Sequence, residues 1–217
     1  MHIPPFDNYN KPIIDIENNI VPNIYFNIVK LSKNEEFSIC LKDYEICMVP
    51  ATGTIEVNIG GKTFENVGNR ITDVWDGEPE CVYIPCNQKS LIKCVSKNCE
   101  LFIAGAKYDK ILEPFVVRSD DIDLIQYGSD DTKTHRKIKH LLGQKQSNQV
   151  GRLLVSELFT VGAGGWSGFP SHKHDTDRLP LETKHDETYN FRFKPNHGSA
   201  LQLLQLEKED HGKAFHI

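Results

Sequence analysis

Two histidines one residue apart, His172 and His174, close a glycine-rich run that reads Gly164-Gly165-Trp166-Ser167-Gly168-Phe169-Pro170-Ser171-His172-Lys173-His174-Asp175. Thirteen residues after His174 comes Glu187, in Asp186-Glu187-Thr188-Tyr189-Asn190-Phe191. On a strand, residues i and i+2 project to the same face, so this spacing aims both imidazoles at one point and turns Lys173 away. Two nitrogens and a carboxylate oxygen suit a borderline divalent metal: zinc, manganese, iron or nickel. His-x-His alone arises often by chance, as two solvated imidazoles. The setting raises this pair above that: Gly162, Gly164 and Gly165 precede it, and a strand-like run from Glu187 to Phe193 follows, opening on a carboxylate.

Elements of some kind must position these groups, and the chain has the means. Its 217 residues, 39% of them hydrophobic, make one large domain or two small ones with a real core. The net charge of -5 arises from 25 basic and 30 acidic residues mixed along the chain, so no basic patch marks it for nucleic acid. The start, Met1-His2-Ile3-Pro4-Pro5-Phe6-Asp7, has no basic stretch leading into an apolar one, and no window approaches a membrane span. A soluble, cytoplasmic protein is expected. Six cysteines, Cys40, Cys47, Cys81, Cys86, Cys94 and Cys99, lie in the first half without a Cys-x-x-Cys pair. They read as reduced thiols packed in strands.

From Tyr25 to Val117 short runs rich in β-branched residues alternate with turns: Phe37 to Leu41, Glu45 to Val49, Thr54 to Ile59, Cys81 to Pro85, Ser90 to Val95, Glu100 to Ala104. Gly60-Gly61 marks a two-residue hairpin. Strands without intervening helices predict an all-β sandwich or barrel. Residues 118–150 are polar and turn-rich, with a short helical turn over His135 to Leu142, and read as a connector. Strand grammar returns at Gly151 to Val161, Glu187 to Phe193 and Ser199 to Leu206. The organisation expected is therefore a barrel over 1–117 without a metal site, a connector over 118–150, and a second barrel over 151–217 carrying the metal motif. Trp166 and Phe169 read as packing under the histidine turn, and Tyr189 and Phe191 as filling the barrel. His135, His140, His185 and His197 have no spacing that sets them apart from surface histidines.

With motif and layout in hand, the chain resembles the 5-deoxy-glucuronate isomerases of bacterial myo-inositol breakdown, a family of two-barrel (bicupin) cupins. The family's Gly-x-Trp-Ser-Ser-Tyr-Pro-Pro-His-Lys-His-Asp segment is similar to Gly164 to Asp175, and its Glu-Glu-Ile-Tyr-Tyr-Phe-Arg segment to Asp186 to Arg192. Gly68-Asn69-Arg70, Val74 to Pro79 and Val82 to Pro85 resemble its first-barrel pattern. The resemblance implies a tandem cupin with His172, His174 and Glu187 as ligands to zinc, manganese or iron. The family's fourth ligand, in a late Gly-Tyr-His-Pro segment, has no counterpart here, where the chain reads His216-Ile217 at its end. A second barrel to match the first would run to about residue 240, so the second barrel is expected to be incomplete. His211 and His216 are substitutes for the fourth ligand whose simpler reading is exposed tail histidines.

The reaction so implied takes 5-deoxy-D-glucuronate to 2-deoxy-5-keto-D-gluconate through a metal-assisted enediol. It requires a base, for which Glu182, Asp175, Glu157 and His185 stand near, with Glu182 preferred at the barrel mouth. Lys173, Arg178 or Arg192 would hold the sugar acid's carboxylate, the arginines as bidentate forks, and the Tyr189 hydroxyl is a further substrate contact. Two alternatives stand beside the isomerase: a shortened or vestigial sugar-acid-binding cupin, and an iron-dependent cupin oxygenase. Barrel edges and apolar strand faces leave room for a homo-oligomer.

Overall fold

A computed structural model describes residues 2–168 and 170–217, and the strands in it follow the alternation of buried and exposed side chains. In β1 (Ile24–Ser32), Tyr25, Asn27, Val29 and Leu31 are buried and the residues between them are not. This strand opens a five-stranded antiparallel sheet with β8 (Asn98–Lys107), β3 (Tyr44–Thr52), β6 (Cys81–Ile84) and β9 (Phe115–Val117), in that order. A four-stranded sheet runs β2 (Glu36–Ile39), β7 (Ser90–Cys94), β4 (Ile55–Ile59), β5 (Lys62–Val67). The turn from β4 to β5 is Gly60-Gly61, with φ of +57° and +89° and Ile59 paired to Lys62. Positive φ at both central residues is what a two-residue hairpin asks for, and only glycine supplies it without cost.

Ile46, Met48, Leu101 and Ile103 from the first sheet meet Ile55, Val57, Ile59 and Ile92 from the second in one core. Full burial of each such side chain contributes about 1.5–3 kcal/mol. Strand β3 is buried along almost its whole length. Its even residues Ile46 and Met48 face that core, while Cys47 and Val49 face a second one with Cys81, Tyr83, Val117, Leu141, Leu142 and Leu153. A continuous apolar run is how a strand covered on both faces appears in sequence.

The second core is closed by residues expected to form a connector. Here β10 (Asp123–Tyr127), β11 (Arg136–Leu142) and β12 (Val155–Thr160) make a three-stranded antiparallel sheet. The helical turn expected over His135 to Leu142 is instead the central strand. With a partner on each side its backbone is bonded in two ladders, and its end delivers Leu141 and Leu142 to the core. Two buried charges lock this region. The Glu45 carboxylate, at 0% exposure, accepts from the backbone N–H groups of Gly151 (2.8 Å), Arg152 (2.6 Å) and Leu153 (2.7 Å) and from the Tyr83 hydroxyl (2.6 Å). Arg70, 2% exposed, forks onto both oxygens of Glu157 in β12 at 2.7 Å and donates to the Gly77 carbonyl at 3.2 Å. Trp75 meets Phe159 edge-on at 5.5 Å nearby.

All six cysteines are free thiols, with Cys40 exposed and the other five buried. Among the described residues the helical elements are two three-residue turns, and no helix is long and apolar enough to cross a membrane.

The chain divides into a larger unit, Asn8–Asp186, and a smaller one that joins the amino-terminal residues up to Asp7 to Glu187–Ile217. Within the smaller unit β13 (Leu201–Leu204) pairs antiparallel with β14 (Lys213–His216). The His2 ring lies 5.7 Å from that of Phe215. The strand expected over Glu187 to Phe193 is irregular.

Candidate metal centre

Beyond β12 the chain enters a strap, residues 161–186, whose described residues form no regular strand. Gly162, Gly164 and Gly168 adopt φ of +81°, +70° and +71°, a left-handed backbone that ends any strand and that other residues enter only with strain. Trp166 donates its backbone N–H to the Lys133 carbonyl at 2.7 Å, yet its side chain is 58% exposed, contrary to the packing role expected of it. Phe169, assigned the same role, lies outside the described residues.

The strap folds back on itself and is pinned at several points. Arg178 and Glu182 form a backbone bridge, Lys184 N–H donates to Asp177 Oδ1 at 2.7 Å, and His185 N–H donates to the His174 carbonyl at 3.0 Å. Asp186 Oδ2 then accepts from the backbone and side-chain amides of Asn23 at 3.2 and 3.0 Å, tethering the strap to the foot of β1.

This turn gathers histidines. His172 and His174 do not lie on a strand, but their ring centres are 5.0 Å apart at 74°. His185, which the sequence left among ordinary surface histidines, stacks on His174 with centres 4.2 Å apart and planes at 25°. Nothing in the eleven-residue separation announces this contact, because an irregular loop has no period to read. The Nδ1 of His172 lies 2.9 Å from the Pro170 carbonyl, and that of His185 3.1 Å from the Thr183 carbonyl. A carbonyl only accepts, so both Nδ1 atoms carry a proton, and in the neutral ring the lone pair is then on Nε2. Metal-binding histidines are held in this way by the hydrogen bond of their other nitrogen.

Glu187 opens the smaller unit two residues past His185, a backbone span of about 7 Å at full extension. Its Oε1 accepts the Tyr189 hydroxyl at 3.2 Å. Desolvation and the Glu187 charge push that hydroxyl up to about 12, so it stays a donor through the neutral range. Tyr189 stacks on Phe191 at 6.0 Å, and both rings are exposed rather than barrel-filling.

Glu182 and Arg178 hold each other, with Nε donating to Oε1 at 2.7 Å, and this bond first of all keeps the Glu182 carboxyl below the usual range. Asp175 is likewise lowered, by its bonds to Thr176 and then Lys173. Glu157, another base considered, is taken up by Arg70. Arg192, His211 and His216 belong to the smaller unit, His216 within β14.

The imidazoles of His172 and His185, each bonded through Nδ1 to a carbonyl, are donors of a type that suits a divalent ion. A sequence profile of the KduI/IolB family matches residues 2–217. The chain belongs to the KduI/IolB family. Its relatives in the KduI/IolB family include the 5-deoxy-glucuronate isomerase of Shouchella clausii strain KSM-K16, 29% identical over 188 residues, which are 86% of this chain and 67% of the relative. The 5-deoxy-glucuronate isomerase of Bacillus subtilis strain 168 is 30% identical over 195 residues, 89% of this chain and 70% of the relative. The crystal structure of an IolB-like protein from Salmonella typhimurium LT2 shares the fold, with TM-score 0.84 over 95% of this chain and 76% of that one at 24% identity. As a KduI/IolB member whose relatives are isomerases along most of its length, the chain is an isomerase enzyme.

Proposed function

We propose that this chain converts 5-deoxy-D-glucuronate to 2-deoxy-5-keto-D-gluconate, an aldose to ketose isomerisation in myo-inositol breakdown. The observation that carries the reading is the match to 5-deoxy-glucuronate isomerases over 84–89% of the chain. A divalent ion, zinc, manganese or iron, would be held by His172, His174 and Glu187, donors whose types suit it. When bound, such an ion supplies Lewis acidity toward a carbonyl and its neighbouring hydroxyl.

The remaining work falls to side chains. A proton must leave one carbon and return to its neighbour, and Glu182 is the base proposed for both transfers. Its pairing with Arg178 sets the order of events. A substrate carboxylate arriving at the strap competes for the guanidinium, which binds carboxylates as a fork. As Arg178 turns to the substrate, Glu182 loses the partner that lowers its pKa and becomes a better base. Arg192 offers a second cation for the sugar acid, and Tyr189, protonated up to about 12, offers a hydroxyl donor.

The test is incubation of the purified chain with 5-deoxy-D-glucuronate and Mn²⁺ or Zn²⁺ in D₂O, followed by NMR. Keto product with solvent deuterium at the carbon that gains the proton is expected. Absence of keto product under every metal tried would overturn the proposal.

A further inference from the structure

We infer that His185 is itself a metal ligand, binding through Nε2 beside His174. This rests on the metal-binding reading above and adds a ligand to it. Three observations on the strap carry it. First, His174 and His185 each offer a ring nitrogen within 4.8 Å of the other's, with ring centres 4.2 Å apart, so a small shift brings both onto one ion. Nitrogens bound to the same tetrahedral zinc sit about 3.4 Å apart, given bonds of about 2.0–2.1 Å. Second, Nδ1 of His185 is bonded to the Thr183 carbonyl at 3.1 Å, which fixes the tautomer whose Nε2 lone pair a metal takes. His172 is set in the same tautomer by Pro170, so two histidines of one strap are prepared alike. Third, the approach is held before any ion arrives. The His185 N–H bond to the His174 carbonyl, the Lys184 bond to Asp177, and the Asn23 clamp on Asp186 fix the turn on both sides of His185. Preorganisation of this kind is needed by a ligand and is unnecessary for a solvated surface histidine.

The experiment is Co²⁺ titration of the metal-free, full-length chain, read by visible absorption, for wild type and for His185→Gln, His174→Gln and His172→Gln. Wild type should take up one Co²⁺ with high affinity. Loss of an outer partner of a ligand already weakens binding about 10–100-fold, so His185→Gln should weaken it by about a hundredfold or more and change the d–d spectrum. Unchanged affinity and spectrum in His185→Gln, with binding lost in His174→Gln, would overturn the inference and leave the metal reading intact. A wild type that takes up no Co²⁺ or Zn²⁺ would sink both. Should His185→Gln fail to fold, the wild type decides: in long-range ¹H–¹⁵N spectra the His185 Nε2 resonance should move on adding Zn²⁺, and a resonance that stays put refutes the inference. A His185 acting only as a base would lose turnover on substitution while Co²⁺ binding stayed the same, which also counts against it.

Discussion

Arg178 and Glu182 neutralise one another four residues apart on the strap, and each is therefore less available than its position in the sequence suggests. Replacing Arg178 with alanine should raise the Glu182 carboxyl toward the ordinary range, since the bond from Arg178 is the leading cause of its depression. A ¹³C titration of the side-chain carboxyl checks this. The sign is fixed: a depressed carboxyl favours the folded state above its unfolded pKa and loses that contribution as pH falls through the folded one. In the core, Glu45 meets four donors, so E45Q should cost about 3 kcal/mol or more and Y83F, which removes one charge-assisted bond, about 1.5–3 kcal/mol. Urea denaturation of both variants gives the order, and an E45Q no weaker than Y83F would contradict the network. Residue types and spacing were enough to pick out His172, His174 and Glu187 as metal candidates, although the strand expected to align the two histidines did not form. The ring contact of His185 with His174 and the hydrogen bonds of Glu45 were not legible, because their partners are brought in by tertiary folding and leave no periodic trace in the chain.

At the scale of elements, the loop after β5 is bound to β12 through one buried ion pair, Arg70 with Glu157. Removing one partner strands a buried charge, so R70A is expected to cost about 3–5 kcal/mol. The double variant R70M/E157L should be less damaged than either single one by the same denaturation assay, because neither charge is then left alone. The β4–β5 turn makes a second case: G61V places a β-branched side chain at φ of +89° and should cost about 1–2 kcal/mol in thermal or chemical unfolding. Strands with β-branched alternation and a Gly-Gly turn were readable because their cause is local. Strand β11 was not, because Arg136-Lys137-Ile138-Lys139-His140 has helix-compatible composition and becomes a strand only between β10 and β12. The run from Glu187 to Phe193 errs the other way, with strand-like residues in irregular backbone.

For the molecule as a whole, among the described residues, the larger unit rests on three sheets and two cores, while the smaller rests on a single two-stranded ladder. An isolated pair of strands is marginal, so backbone amides of Leu201–Leu204 should exchange with deuterium well before those of β3 and β8. Mass-resolved hydrogen exchange tests this, and equal protection would show that the ladder draws stability from elsewhere. The buried Glu45 also bears on how the chain is made. Its three amide donors follow it by 106 to 108 residues, so during synthesis the β3 strand leaves the ribosome with only the Tyr83 hydroxyl, 38 residues on, available to its carboxylate for most of that interval. A nascent chain halted short of Gly151 keeps that charge hydrated and its sheet open on one face. Burial of the Glu45 charge is thereby timed by the arrival of Gly151, Arg152 and Leu153.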